Sequence, residues 1–108
     1  MKIERNFIER IDISDFAERH GLTMKVYERG KNTMASMNIS YPFYAYFENC
    51  EVKDGICLLS EYGNGTNEES AIREYAAVIS DKKLIFNAYG PNRKEIDVPY
   101  LHYVPRRS

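Results

Sequence analysis

The side chains that could support catalysis are few in this chain. Besides carboxylates, they are two histidines, His20 and His102, and two cysteines. His20 falls on the apolar stripe of a predicted helix, which favours a hydrogen-bonded structural role, and His102 lies in a tyrosine-rich tail where packing is expected. No spacing fits a nucleophile with a base and an orienting third group. The sequence therefore predicts no enzyme, no catalytic residue and no cofactor.

The two cysteines flank a predicted turn at Asp54-Gly55. If that turn is a two-residue hairpin loop, Cys50 faces Leu59 and Cys57 faces Val52. The two sulfurs are then diagonal neighbours, which is a poor geometry for a disulfide. Two His and two Cys also make a four-ligand zinc site improbable. We therefore expect two buried or half-buried free thiols and no metal.

A pair of acids, Glu68 and Glu69, follows Thr66 and precedes an apolar helical pattern. Thr66 and Glu69 are spaced as a capping box, and both acids suit the positive end of a helix dipole. The preceding Gly63-Asn64-Gly65 lacks the Lys-Ser/Thr of a phosphate-binding loop. We interpret it as a turn.

Tyrosines give the strongest indication of a binding function. Tyr44 and Tyr46 alternate with apolar residues along one predicted strand, so both phenols lie on the face opposite the core. Tyr27 on the preceding strand can join them, as can the Cys57, Leu59 and Glu61 set. Such a face can dock a partner protein or a second copy of the chain. Alternatively, the N-terminal arm or the last strands cover it.

Length and charge restrict the function classes. The 108 residues suit one domain, and 44% hydrophobic residues suffice for a core. Fifteen basic residues against sixteen acidic leave a formal charge of −1, without the basic excess typical of nucleic-acid binders. The first residues lack the apolar core of a signal peptide, and there is no apolar run of about 18 residues. We expect a cytoplasmic protein that does not bind membranes.

Periodicity predicts an α+β fold in the order α-β-β-β-α-β-β, with a mostly antiparallel sheet and two helices packed on one face. The first helix carries Ile13, Phe16, Ala17 and His20 on one side, with Asp12 or Ser14 as its cap and Gly21 as its end. The second has Ala71, Ile72, Tyr75, Ala76 and Ile79 as its apolar face. Strands are predicted at residues 22–28, 43–48, 56–62, 84–89 and 93–98, with a long mobile loop at 30–42. We divide the single domain into a core (12–80), an added strand pair (83–99) and two terminal arms (1–11 and 100–108), the first of which is undecided between helix and strand.

The first five elements, residues 12–80, resemble a double-stranded-RNA-binding domain. The likeness rests on the helix ending in Arg19-His20-Gly21, on Gly63-Asn64-Gly65 before the second helix, and on the alanines of that helix. In that family the second helix opens with a Ser and two lysines that contact phosphates, whereas Asn67, Glu68 and Glu69 stand here. The family's Gly-Pro-x-His loop is also missing, because residues 30–42 contain no His. The resemblance implies the fold without the RNA site.

Two looser resemblances imply a protein partner. The segment from Gly65 to Ile72 after a hairpin is similar to antitoxin domains of the HicB type, which bind a protein toxin. The whole pattern also looks like small proteins of phages and mobile elements, among them anti-CRISPR inhibitors of host defence complexes.

The leading hypothesis is therefore a non-enzymatic protein-binding module of phage or mobile-element type that inhibits a host defence complex such as CRISPR-Cas. Its predicted contact residues are Tyr27, Tyr44, Tyr46, Glu61, Glu68 and Glu69, with the 30–42 loop beside them. The alternatives are a HicB-like antitoxin and a nucleic-acid-binding protein. The latter would use Lys25, Arg29, Lys31, Lys82, Lys83, Arg93 and Lys94.

Overall fold

The computed structural model describes Met1 and residues 11–105. Most of the predicted N-terminal arm and the last three residues lie outside this range. The elements in chain order are β1 (Ile11–Asp12), α1 (Ile13–His20), β2 (Met24–Glu28), α2 (Lys31–Met37), β3 (Phe43–Phe47), β4 (Cys50–Asp54), β5 (Cys57–Leu59), β6 (Gly63–Gly65), α3 (Glu68–Ile79), β7 (Lys83–Phe86), β8 (Lys94–Asp97) and β9 (Leu101–His102). The protein is an α+β fold with mostly antiparallel strands, as predicted. Among the described residues, no helix is long and apolar enough to cross a membrane.

Helix α1 forms where the sequence signals place it. The Asp12 side chain caps its start by accepting a hydrogen bond from the Ser14 N–H at 2.8 Å. Gly21 ends the helix in a left-handed conformation (φ 66°), which glycine adopts without a steric penalty. Asp12 also joins distant parts of the chain, because its Oδ2 accepts a hydrogen bond from the Val104 N–H at 3.0 Å. The capping prediction is confirmed.

We expect the stability contributed by Asp12 to disappear in acid. Partial burial would raise the pKa of Asp12, but hydrogen bonds from Val104 and Ser14 outweigh it and hold this pKa below 3.8. A carboxyl with a lowered folded-state pKa stabilises the fold above its unfolded pKa, and the contribution is lost as the pH falls through the folded pKa. Asp12→Asn should therefore cost about 1 kcal/mol at pH 7, and the cost should shrink below about pH 4. Urea unfolding of both proteins between pH 2 and 7 measures this difference.

The control Asp97→Asn removes the same formal charge from an exposed position on β8. If both variants showed the same pH profile, the capping and bridging role of Asp12 would be refuted.

The first sheet has the strand order β2-β3-β6 and is antiparallel throughout. Its third strand is Gly63–Gly65, which we had interpreted as a turn, so that interpretation is wrong. Glycine is required there because α3 lies directly on the strand. A Cβ at Gly63 would overlap the backbone of Tyr75 and Ala71, and one at Gly65 would overlap Ser70 and the Ala71 backbone.

The second sheet has the order β5-β4-β7-β8, so the strands form separate sheets rather than the single sheet we expected. The β4–β5 hairpin pairs Val52 with Leu59 and Asp54 with Cys57, which differs from the predicted register. Its loop is Gly55-Ile56, and a positive φ (61°) at Gly55 alone fits a type II′ turn, in which Gly takes the first central position. Both cysteines are free thiols: Cys50 is half-buried and Cys57 is exposed.

The predicted 30–42 loop contains a helix, α2, which the sequence analysis missed. Its N-cap Gly30 makes no side-chain hydrogen bond, and none of its residues is buried. The helix ends at Asn38 in a left-handed conformation (φ 54°), which Asn tolerates better than most residues. Without an apolar stripe or a polar cap, the segment carries no helical signal.

Helix α3 is capped one residue later than predicted. Asn67 accepts a hydrogen bond from the Ser70 N–H at 2.8 Å, and the Ser70 hydroxyl accepts one from the Asn67 N–H at 3.1 Å. This reciprocal pair replaces the Thr66–Glu69 capping box that we expected. The apolar face is as predicted, since Ala71, Tyr75, Ala76 and Ile79 are all buried and Ile72 packs against the core.

Both α1 and α3 pack on one face of the first sheet. Phe47 of β3 lies between them: its ring centroid is 6.3 Å from that of Phe16 and 5.4 Å from that of Tyr75. The core cluster continues into the second sheet through Val52 and Leu84. The opposite face of the first sheet carries the tyrosines.

Candidate interaction site

Three tyrosines form a row on the face of the first sheet that lies away from the helices. The register pairs Tyr27 with Tyr44 and Lys25 with Tyr46, and residues directly opposite in antiparallel strands project from the same face. Ala45 and Phe47 alternate with them and are fully buried on the other side. The structure therefore brings together the three tyrosines that the alternation selected. We call Tyr27, Tyr44, Tyr46 and the neighbouring Tyr62 the tyrosine face.

The rings of Tyr27, Tyr44 and Tyr46 are nearly parallel. Their centroids are 5.4–6.1 Å apart and their planes differ by 11–22°. Burial and the hydrogen bond with Tyr27 raise the pKa of Tyr46. At these separations parallel rings are laterally offset, so their faces are only partly covered and a partner can contact ring faces, edges and hydroxyls.

The Arg29 side chain packs against the tyrosines at one edge of this row. Its guanidinium carbon lies 4.5 Å from the centroid of the Tyr44 ring and 5.8 Å from that of Tyr62. Its Nη1 donates a hydrogen bond to the backbone carbonyl of Tyr41 at 2.8 Å. Tyr62 in turn meets Tyr44 edge-on, with centroids 6.0 Å apart. The Arg29 side chain is thus engaged in contacts within the fold.

Next to the tyrosine face lies an open cavity of about 530 Å³. It is lined by Tyr44, Tyr46, Phe47, Asn49, Cys50, Glu51, Ser60, Glu61, Tyr62, Asn87, Ala88, Tyr89 and Gly90. One wall comes from the first sheet, and the other comes from β4 and the segment between β7 and β8. The volume falls within the range of ligand pockets in proteins, about 300–1,000 Å³.

Two asparagine turns build the second wall. Asn49, between β3 and β4, and Asn87, after β7, both have a positive φ (60° and 54°). The Asn87 N–H donates to the Asn49 carbonyl at 3.0 Å, so the two turns are joined. The joined turns place Tyr89 at the rim of the cavity, where this residue is 86% exposed.

Burial raises the pKa of one group in the inner part of the cavity and of one group in the core beneath it. Burial raises the pKa of the Cys50 thiol to about 12. Burial also raises the pKa of Tyr75, which is a core residue. The nearby Cys50 and Glu61 raise this pKa further, whereas a hydrogen bond with the Phe47 backbone lowers it in part. The carboxylates of Glu51 and Glu61 are instead only half-buried.

The predicted acids separate into two places. Glu61 lines the cavity next to Tyr62, whereas Glu68 and Glu69 lie in the first turn of α3 and are not part of the lining. Glu51 was missed by the sequence analysis, as were Tyr62 and Tyr89. The position of Tyr62 could have been inferred from strand alternation. Tyr62 precedes Asn64 by two residues, and Asn64 pairs with Tyr44, so Tyr62 faces the same side of the sheet as Tyr44.

The predicted nucleic-acid residues do not share one element. One group lies on or beside the first sheet: Lys25 is in β2, Arg29 follows that strand, and Lys31 begins α2. The other group lies on or beside β7 and β8 in the second sheet and consists of Lys82, Lys83, Arg93 and Lys94. Some of these charges are paired: Lys25 with Glu48 at 3.7 Å, and Lys83, together with Lys53, with Glu95. Lys83 and Lys53 lower the pKa of Glu95.

No protein-family model, no curated protein and no solved structure matches this chain. The function must therefore be inferred from the site itself. Within residues 11–105, no group of three or more His, Cys, Asp or Glu side chains could hold a metal ion. The arrangement that remains is an aromatic surface beside an acidic cavity, which suits binding.

Proposed function

We propose that the chain is a non-enzymatic protein-binding module whose partner docks on the tyrosine face and its cavity. The observation that carries this proposal is the row of stacked tyrosines on the sheet face opposite the core, open to a cavity of about 530 Å³. Tyrosine is enriched in protein interfaces and at their energetic hot spots, because its ring buries a large area while its hydroxyl keeps a polar contact. Tyr27 and Tyr62 are 43% and 44% exposed and so are available to a partner.

The likeness to a double-stranded-RNA-binding domain is part of this proposal as a likeness of fold. The order α1, β2, β3, β6, α3, with both helices on the Phe47 face, supports it, and the β4–β5 hairpin is then an insertion. The start of α3 carries Asn67, Glu68 and Glu69, so carboxylates stand where phosphate-binding lysines would be needed. We therefore propose this fold in a role other than RNA binding.

Nucleic-acid binding is disfavoured by the same geometry. Single strands bind by stacking bases on exposed aromatic faces within a basic groove. Here the cavity beside the rings is lined by Glu51 and Glu61 and by no basic residue of the described part of the chain, so the basic groove is missing. Inhibition of a host defence complex and a HicB-like antitoxin role stay predictions from resemblance. Both require a protein partner, so both are forms of this proposal.

Partner capture with matched tyrosine variants tests the proposal. We expect Tyr62→Ala and Tyr27→Ala each to weaken binding of the purified partner by about 10- to 30-fold, that is, up to the threshold of about 2 kcal/mol that defines an interface hot spot. Tyr100→Ala is the control, because Tyr100 is also 44% exposed but lies outside the tyrosine face. The partner is identified by affinity capture and mass spectrometry from cells that naturally contain the protein. Its affinity for each variant is then measured by calorimetry, and light scattering detects a second copy as the partner.

Equal affinities for all three variants would contradict the proposal. So would micromolar binding of duplex RNA or single-stranded DNA that weakens steeply with salt, since counterion release marks phosphate recognition.

A further inference from the structure

The cavity has a charge pattern that the proposed function does not use. Its lining includes two acidic residues, Glu51 and Glu61, and no lysine, arginine or histidine of the described part of the chain. The ion pairs within the described part of the chain engage Glu48 and Glu95 rather than these two acids. Glu61 thus brings negative charge to a partly enclosed space, where charge is screened less than at an open surface. Glu51 follows Cys50 on β4 and projects from the opposite face of the strand, so it contributes negative charge from beside the cavity.

The rest of the lining is suited to a flat cation, because ring faces attract cations through their quadrupole. Tyr44 and Tyr62 already contact Arg29, and Tyr46 and Tyr89 supply two further rings to the lining. The fold itself shows this chemistry at the edge of the site, since the guanidinium of Arg29 lies 4.5 Å from the Tyr44 centroid. Tyr89 is 86% exposed, so its ring remains open to a second guanidinium.

We propose that the cavity binds an arginine side chain presented by the partner protein. A guanidinium can stack on a tyrosine and at the same time donate two parallel hydrogen bonds to a carboxylate, whereas the ammonium of lysine is a strongly hydrated point charge. The volume of about 530 Å³ accommodates this side chain together with the flanking backbone of the partner. The inference rests on the proposed function, because it names the group that the partner inserts beside the tyrosine face.

The test uses small probes, so it does not depend on finding the partner. Acetyl-Gly-Arg-Gly-amide is titrated into the ¹⁵N-labelled full chain, and amide shifts are followed by NMR. The matched probes carry citrulline, which is neutral and nearly isosteric, or lysine. We expect millimolar binding of the arginine probe, with shifts centred on Asn87–Gly90 and Glu61. Binding of the citrulline and lysine probes should be at least about 5-fold weaker.

Variants assign the binding to the cavity. Glu61→Gln should weaken binding of the arginine probe by about 5- to 10-fold through loss of a charge-assisted hydrogen bond. Glu51→Gln should weaken it by about 2-fold through loss of a nearby charge, and Tyr89→Ala by about 3-fold. Glu74→Gln is the control, because Glu74 is exposed on α3 and does not line the cavity. Each of these positions is exposed or half-buried, so the variants are expected to fold, and their amide spectra show whether they do.

The results separate this inference from the proposed function. If the arginine probe does not bind, or if citrulline or lysine binds equally well, the inference is overturned. In that case a partner that still depends on Tyr27 and Tyr62 leaves the proposed function standing. A different result is also informative. If the arginine probe binds and Glu61→Gln weakens its binding, but no variant of the tyrosine face alters partner affinity, the arginine site is supported and the docking proposal is contradicted.

Discussion

Gly63→Ala and Gly65→Ala are each expected to lower the free energy of unfolding by about 3 kcal/mol, at the upper end for overpacking of a core. Strand β6 lies between β3 and α3, and an added Cβ would overlap backbone atoms of Tyr75 or Ala71. Backbone cannot move aside as the end of a flexible side chain can, so either the helix or the strand must shift. Equilibrium unfolding in urea measures the loss, provided that the m-value is unchanged.

Gly90→Ala is the matched control. A Cβ there meets only Asn87 atoms at 3.7 Å, which is ordinary contact, and Gly90 does not have a left-handed backbone. Its effect should stay within about 0.5 kcal/mol. If Gly63→Ala were as stable as Gly90→Ala, α3 could not lie as close to β6 as the structure places it.

The parts of the fold that the sequence predicted are those with local signals. Helix α1 has a capping carboxylate at Asp12 and a glycine at its end, and each of these acts within one helical turn. The buried face of α3 follows from a 3.6-residue period. The tyrosine row follows from strict alternation along β3, which fixes the side of the sheet without knowledge of the strand's neighbours.

The missed parts depend on contacts between distant residues. Strand β6 has a single side chain, so no apolar pattern could indicate it. Its glycines are explained by the close packing of α3 on the strand, which is a contact between separate elements. The strands form three sheets, because β1 pairs with β9 in parallel and β4 pairs with β7, as in Val52 with Leu84, rather than with the first sheet. The cavity depends on the meeting of the Asn49 and Asn87 turns, which are far apart in the chain. Helix α2 was missed for the opposite reason, because it has neither a cap nor a buried face.

Cys50 is expected to react with a thiol-specific disulfide reagent about 30-fold more slowly than an exposed thiol at pH 8. Burial raises the pKa of Cys50 from an ordinary value of 9.0 to about 12. A rise of about three units lowers the thiolate fraction by about 10³. The more basic thiolate is about 30-fold more nucleophilic, which cancels part of this loss. Incomplete access through the cavity slows the reaction further.

The chain carries its own reference for this measurement, because Cys57 is exposed at the β4–β5 hairpin. Cys57→Ser leaves Cys50 as the reacting thiol, and Cys50→Ser leaves Cys57, so the two rates are read separately. The rate of Cys50 should keep rising with pH up to about pH 10, because the solution is still below its pKa and each unit adds thiolate. Equal rates for the two cysteines, or a rate for Cys50 that levels off near pH 9, would contradict the burial of Cys50. Because Cys50 lines the cavity, a slow and rising rate also means that the inner wall is closed to the reagent, and a poorly solvated wall strengthens the attraction between the Glu61 carboxylate and a cation.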